Sequence, residues 1–468
     1  MDMLMFQLDK NIDTPLYEQL YEAIKNSIIE RNILTDEKLP SKRKLAEFLN
    51  ISQTTVELAY GQLLAEGYVL SKARIGYFVE DIDTLAYVDT AAPQKLLNMP
   101  KYDIKIDFNP GQIDLPSFPF STWRKYMKDS IDEENGELLL VGNAQGEYEL
   151  RKEIASYLYQ SRGVRCQPEQ IVIGSGTEHL LPMVVKLLGE NNIYAVENPG
   201  YTMTHHIFSQ NNQYTTAIDV DEDGMKIEQL KKSEASIAYV TPSHQFPTGA
   251  ILSASRRIQL LNWANEQNGR YIIEDDYDSE FRYTGKPIAA LQGMDRKGKV
   301  IYMSTFSKSL MPSLRIAYFV LPESLLPQYN EMYSYYTCTV PRIDQYTLSR
   351  FMKDGYFSKH LNRMRKIYRR KLEAVIEVFY EYNHCISITG EQAGMHIMIK
   401  AQHELSAKQL SKLALQNGIR ISAIEQYLAS ANSDYDQQLL LGFGGILEDD
   451  IEQAIHQLMT CWQINKKD

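Results

Sequence analysis

At 468 residues the chain exceeds what one hydrophobic core usually supports, so at least two domains are expected, and 44% apolar with 23% charged residues is an ordinary globular composition. A net charge of -11 excludes a molecule that binds polyanions with its whole surface, so any nucleic-acid contact has to come from a local basic patch. No run reaches the roughly 18 apolar residues of a membrane span, Asp2 stands where a secretory signal carries positive charge, and Cys166, Cys338, Cys385 and Cys461 are too scattered for a disulfide framework or a zinc site. A soluble, cytoplasmic protein with reduced thiols, no metal ligands and no membrane partner is expected.

Thr14 and Pro15 open the first helix signal, a capping hydroxyl before a proline at the first helical position, with Leu16, Leu20, Ile24 and Ile28 on the inward face. Pro40 breaks the chain, Ser41 caps a short helix through Leu49, Asn50 makes a turn, and Ser52 caps a third helix that Gly67 stops. Val56, Ala59, Tyr60, Leu63 and Leu64 form its expected buried stripe. Two apolar runs, Tyr68 to Leu70 and Gly76 to Val79, flank a basic turn with Lys72 and Arg74, which predicts a two-stranded wing. Periodicity then fades around Pro93 and Pro100, so residues 1–80 read as a first domain and 81–103 as a linker.

Across 104–468, short apolar strands alternate with helix-length segments: 170–173, 192–196, 237–240, 271–273 and 300–303. That alternation predicts an α/β domain with a mainly parallel central sheet, whose ligands bind at the carboxyl ends of the strands. One long helical stretch is expected from Ile343 to Tyr382, leading to a smaller C-terminal α+β subdomain.

The segment Leu39 to Tyr60 has the proportions of helix, tight turn and helix. Gln53, Thr54 and Thr55 stand at the start of the second helix, where short hydrogen-bonding side chains reach base edges in a major groove. Lys42, Arg43 and Lys44 would clamp phosphates from the preceding helix, and Lys72 and Arg74 from the wing. A helical hairpin with a solvated basic face is the competing reading, because residues 1–80 hold 9 Lys and Arg against 12 Asp and Glu.

The second domain has candidates for each group that pyridoxal phosphate (PLP) requires of a protein. Lys308 follows a strand, in a hydroxyl-rich loop with Thr305, Ser307 and Arg315, and a lysine forms imines when desolvation lowers its pKa. Asp275 and Asp276 follow the strand 271–273 as partners for a pyridine nitrogen, with Tyr277 as a phenol donor. Ser175, Gly176 and Thr177 lie between a strand and a helix, where backbone N–H groups make an anion site, and Tyr201 would stack on a ring. Singly, these are a surface lysine, an acidic loop, a helix cap and a core aromatic. Their combination is the signal.

The first domain resembles the winged helix of the GntR superfamily through Leu39 to Ser41, Arg43, Leu45, Ala46, Thr55, Val56, Ala59, Tyr60, Leu63, Glu66 to Tyr68 and Gly76 to Val79. Gln53 stands where that family usually has arginine, and glutamine prefers adenine where arginine prefers guanine. The second domain resembles class I aminotransferases of fold type I, and the whole chain the MocR/GabR subfamily that joins the two. Ile106 to Gly111, Arg162 to Val164, Thr241 to Gly249, Glu274 to Phe281, Thr305 to Lys308, Gly355, Tyr356, His360 and Tyr368 carry this likeness. It implies that Lys308 carries the internal aldimine, Asp275 pairs with the pyridine nitrogen, Tyr277 meets the phenolate and Tyr201 stacks. Arg315, Ser175, Gly176, Thr177, Thr305 and Ser307 would hold the phosphate.

Two departures stand out. Phe246 replaces the asparagine that such enzymes place before Pro-Thr-Gly, leaving His244 and Gln245 as alternatives for the phenolate. The stretch Asp434 to Phe443 lacks the arginine with which many such enzymes hold a substrate carboxylate; Arg420, the nearest C-terminal arginine, is a candidate to replace it, with a surface or salt-bridge role the favoured reading. The expectation is a homodimeric, head-to-tail, PLP-dependent transcription regulator that binds double-stranded promoter DNA and senses PLP itself or an amino compound. The alternative is a genuine aminotransferase with an accessory DNA-binding domain.

Overall fold

A computed structural model describes residues 8, 9, 12, 14–82, 102–283 and 288–467. The chain divides into two units, Met1–Pro100 and Lys101–Asp468. Most of the expected linker, 83–101, lies outside the described residues.

The first unit consists of α1 (Leu16–Ile29), α2 (Lys42–Leu49), α3 (Gln53–Ala65), β1 (Val69–Lys72) and β2 (Gly76–Val79). Ser41 and Ser52 cap α2 and α3 by accepting from the amides of Lys44 and Thr55. Between them Asn50 takes a left-handed conformation (φ 52°), which its short polar side chain tolerates and which makes the turn tight. The wing pairs antiparallel, Val69 opposite Val79 and Lys72 opposite Gly76, with Arg74 at positive φ in its turn. Leu20, Ile24, Leu45, Val56, Tyr60, Leu63, Val69 and Val79 share one apolar core.

Two local expectations change. Pro15 is extended (ψ 145°) and is itself the N-cap, so the helix starts one residue later and Thr14 does not cap it. Leu64 is 40% exposed: Val56, Ala59, Tyr60 and Leu63 already fill the inward face, and the next residue is rotated by about 100°.

In the second unit an eight-stranded sheet runs in the order Ile171–Gly174, Ala317–Val320, Val300–Thr305, Tyr271–Asp276, Ile237–Val240, Ile193–Asn198, Tyr214–Asp221, Gly224–Met225. Its central pairings are parallel, while Ala317–Val320 runs antiparallel to both neighbours and Gly224–Met225 closes one edge antiparallel. Successive residues enter different cores: Ile273, Ile301 and Tyr194 join one cluster, whereas Ile272, Val300 and Ala195 join another. Burial on both faces is why these strands read as continuous apolar runs.

A second sheet of four antiparallel strands, Ile386–Thr389, His396–Ala401, Gln438–Gly442 and Ser422–Ala423, builds the smaller C-terminal subdomain with helices Ala407–Gln416 and Ile451–Cys461. The single long helix expected before it is two helices, Arg342–Lys353 and Tyr356–Tyr380, because Gly355 turns the chain at φ 76°. Among the described residues no helix is long and apolar enough to cross a membrane.

Candidate functional site

Strand Tyr271–Asp276 includes both of its terminal acids, which the sequence had suggested would follow it, and strand alternation turns them to opposite faces. Asp276 accepts from Arg162 Nε at 2.7 Å and from the Tyr302 hydroxyl at 2.6 Å, a structural pairing. Asp275 accepts from the Tyr239 hydroxyl. Burial pushes the Asp275 carboxyl up to about 7, against the lowering effect of Tyr239. Lys308 follows the neighbouring strand and donates from Nζ to the Pro110 carbonyl. Burial pushes its amine down to about 8, with Asp278 opposing.

Tyr277 continues from Asp276, and its hydroxyl lies 3.0 Å from His244 Nδ1. The same Nδ1 lies 2.9 Å from Asp278 Oδ2. The two residues left open at the missing asparagine have different surroundings. Gln245 is consumed structurally: its amide donates to Glu197 and to the carbonyls of Pro199 and Phe246, and its oxygen accepts from Thr248. His244 is the one that reaches the phenol. Tyr201 stacks on Phe246, ring centroids 4.0 Å apart and 5° from parallel, and meets Tyr277 edge-on at 5.4 Å. Tyr201, Asp275, Tyr277 and Lys308 are therefore gathered in one place.

The candidate anion groups gather in another. Gly176 precedes helix Thr177–Leu188 at φ 113°, and a Cβ there would lie 2.2 Å from Arg315 Nη2. That guanidinium donates to the Ser175 carbonyl at 3.1 Å and to Glu178 Oε2 at 2.7 Å. Thr305 Oγ1 donates to Ser307 Oγ at 2.9 Å and lies 3.3 Å from the Ile316 carbonyl, next to Arg315. The Ser175 amide is already used by Thr339 Oγ1 at 3.1 Å.

On the first unit Lys44, Gln53, Thr54 and Arg74 are exposed, whereas other candidates have local partners. Lys42 bonds Glu57, Arg43 bonds Glu47 at 2.8 Å, and Lys72 lies 4.5 Å over the Phe78 ring. The Thr55 hydroxyl, 2.8 Å from Ser52 Oγ, takes part in the cap.

Sequence reasoning missed His396, Asp278 and Leu440. His396 sits opposite Gly442 in the small sheet with its ring 5.0 Å from that of His244. Ligating atoms of His244, Asp278 and His396 lie within 4.8 Å of one another. The direct 2.9 Å bond between His244 and Asp278 is a hydrogen bond, since an ion held at about 2.0–2.2 Å by both would keep them farther apart. Leu440, in the stretch that lacks the expected arginine, packs with Phe246, Tyr277, Met398 and Ile424. Arg420 is spent on Asp107 at 2.9 Å. The signal available was the alternation of Gln438 to Gly442, which turns every second residue to the same face.

Residues 103–455 match the family described as aminotransferase class I and II, and residues 16–79 match the gntR family of bacterial regulatory proteins. The chain is 44% identical to an uncharacterized HTH-type transcriptional regulator of Bacillus subtilis, YdeL, over 99% of this chain and all of that protein. It is 31% identical to the probable rhizopine catabolism regulatory protein MocR of Rhizobium meliloti, over 98% of this chain and 96% of the relative. The kynurenine aminotransferase of Pyrococcus horikoshii matches with a TM-score of 0.68 at 24% identity, covering 81% of this chain and 99% of that one, which shows the fold. The chain belongs to the MocR/GabR group of HTH-type transcriptional regulators, in which a GntR-type helix-turn-helix domain is fused to an aminotransferase-like body of fold type I.

Proposed function

We propose that this regulator holds PLP at Lys308 and couples the state of that site to its grip on promoter DNA. The observation that carries the reading is the pairing of a buried lysine with a depressed pKa and a buried carboxyl with a raised one. Lys308, at about 8, keeps a usable neutral fraction of its amine, which an aldehyde requires. Asp275, pushed up to about 7 by burial, with the Asp276 and Asp278 charges adding to the rise, suits a protonated pyridine nitrogen. Bare backbone at Gly176 lets the Arg315 guanidinium lie against the helix start, a cradle that any side chain would fill.

In this reading Arg315 exchanges Glu178 for the phosphate, with Ser175, Gly176, Thr177, Thr305 and Ser307 around it. Tyr277, positioned by His244, meets the phenolate, and the face of Tyr201 turned away from Phe246 takes the ring. When bound, PLP supplies an electrophilic carbonyl for amines and an electron-withdrawing ring. The protein works in the cytoplasm as a head-to-tail homodimer, and Gln53, Thr54 and Thr55 read base edges while Lys42, Arg43, Lys44, Lys72 and Arg74 hold phosphates. The effector is PLP itself or an amino compound that meets it.

Visible absorbance of the full-length protein with PLP, compared with Lys308→Ala, tests the cofactor assignment. Anisotropy on duplexes selected from random DNA, with PLP alone and then with amines, tests the coupling. No absorbance change, or DNA affinity indifferent to both additions, overturns the proposal. Turnover at ordinary enzyme rates, about 1 per second or more, would favour an aminotransferase instead.

A further inference from the structure

The proposed phosphate cradle already holds a carboxylate of the chain's own. Glu178 lies in the first turn of helix Thr177–Leu188, whose N-cap is Gly176 and which has no capping side chain. A Cβ on Gly176 would lie 2.2 Å from Arg315 Nη2 and 2.6 Å from Glu178 Oε2, so the guanidinium and the carboxylate stand over the same bare stretch of backbone. Their ion pair measures 2.7 Å. A phosphate draws on the positive end of a helix, its backbone amides and a guanidinium fork, and Glu178 is using the first and the last of these.

The neighbouring cradle groups are committed too, but to neutral partners. The Ser175 amide donates to Thr339 Oγ1 at 3.1 Å, Thr305 Oγ1 donates to Ser307 Oγ at 2.9 Å, and the other acceptor on Arg315 is the Ser175 carbonyl at 3.1 Å. Glu178 is the one charged partner among these. A dianionic phosphate that comes to Arg315 meets it twice over, as a rival for the guanidinium and as a like charge. The Arg315 and Glu178 side chains are 48% and 51% exposed, so water takes up the displaced carboxylate and the cost of the exchange stays moderate.

We propose that Glu178 is a resident competitor for the phosphate of PLP, and that the transfer of Arg315 from Glu178 to phosphate sets the PLP concentration at which the site fills. This deepens the reading that Lys308 holds PLP and rests on it. The consequence is a site whose occupancy follows supply over a higher range of PLP than the bare cradle would give. The penalty falls on the phosphate alone: pyridoxal, which lacks it, has no carboxylate to displace.

The test titrates full-length protein and its Glu178→Gln and Glu178→Ala variants with PLP and with pyridoxal, reading occupancy by visible absorbance. PLP is expected to bind each variant about three- to tenfold more tightly, the size of a half-exposed ion pair together with the like charge removed, and pyridoxal to change by less than twofold. The alanine variant separates loss of the carboxylate from gain of an amide donor. In thermal unfolding PLP should raise the Tm of both variants by more than it raises that of the unaltered protein, whereas loss of a merely structural ion pair would leave that rise as it was. Unchanged or weaker PLP binding in Glu178→Ala, or an equal gain for pyridoxal, overturns the proposal. Failure of the unaltered protein to take up PLP overturns the cofactor reading with it, whereas uptake without the expected shift leaves that reading standing, which separates the two failures.

Discussion

The depressed pKa of Lys308 has a kinetic consequence that can be measured directly. With a value of about 8, roughly one molecule in ten carries the neutral amine at pH 7, against about one in three thousand at the ordinary 10.5. Covalent capture of PLP should therefore be about 300-fold faster at pH 7 than for an exposed lysine of equal reactivity, and should rise to a plateau with a midpoint near 8. The cause can be varied too: burial lowers the value and the Asp278 charge opposes it, so Asp278→Asn should move the midpoint down. Borohydride trapping followed by intact-mass measurement across pH 6–10 reads the rate. A midpoint near 10.5 refutes the desolvation argument, and an upward shift in Asp278→Asn refutes the assigned role of that carboxylate.

The other expectations concern the anion cradle, the buried acid, a helix break and base reading. Arg315→Ala removes charge-assisted hydrogen bonds of about 1.5–3 kcal/mol and should weaken PLP about 10- to 100-fold while leaving pyridoxal, which lacks the phosphate, unaffected in a competition assay. Asp275 keeps in the fold a proton that the unfolded chain, at 3.8, releases, so its stabilising contribution is present at low pH and is lost as pH rises from about 4 to 7. In cofactor-free protein Asp275→Asn should flatten that decline by at most about 2.7 kcal/mol between denaturant titrations at pH 5 and pH 8, and a steeper decline would contradict it. Gly355→Ala meets nothing within 4 Å, so its cost is the left-handed conformation alone, about 1–2 kcal/mol in thermal unfolding. Gln53→Ala should lose about 1–3 kcal/mol of discrimination at one base pair in selected duplexes and leave the fold intact, since the side chain is exposed.

What could be read from sequence follows from how local each signal is. Ser41, Asn50 and Ser52 act on neighbouring amides, and the turn of the winged helix is legible from them alone. The five expected strands of the large sheet are found because burial on both faces makes them uninterrupted apolar runs, whereas Tyr214–Asp221 interleaves threonine and aspartate and was not recognised. Lys308, Asp275, Tyr277 and Arg315 stood out through their motifs. His396 did not, because nothing near it in the chain marks it, and its meaning comes from His244, 152 residues away, across two sheets. Gln245 and His244 could not be separated for the same reason: only the partners of Gln245, Glu197 and Pro199 among them, show that its amide is already committed.

The position of that histidine pair also bears on how a bound molecule could reach the DNA-binding domain. Lys308, Asp275, Tyr277 and His244 belong to the large sheet and its loops, while His396 and Leu440 belong to the small one. A ligand that bonds only to the first group binds equally well whatever the small subdomain does, and equal affinity for two states shifts nothing. A ligand that bonds both His244 and His396 favours the arrangement that brings the two sheets together, and its differential affinity sets the limit on regulation, typically 1–3 kcal/mol. The strand Gln438–Gly442 carries no arginine that could anchor a ligand carboxylate. His244 and His396 stand on opposite sides of the same seam, so a ligand that touched both would tie the arrangement of the two sheets to its own binding.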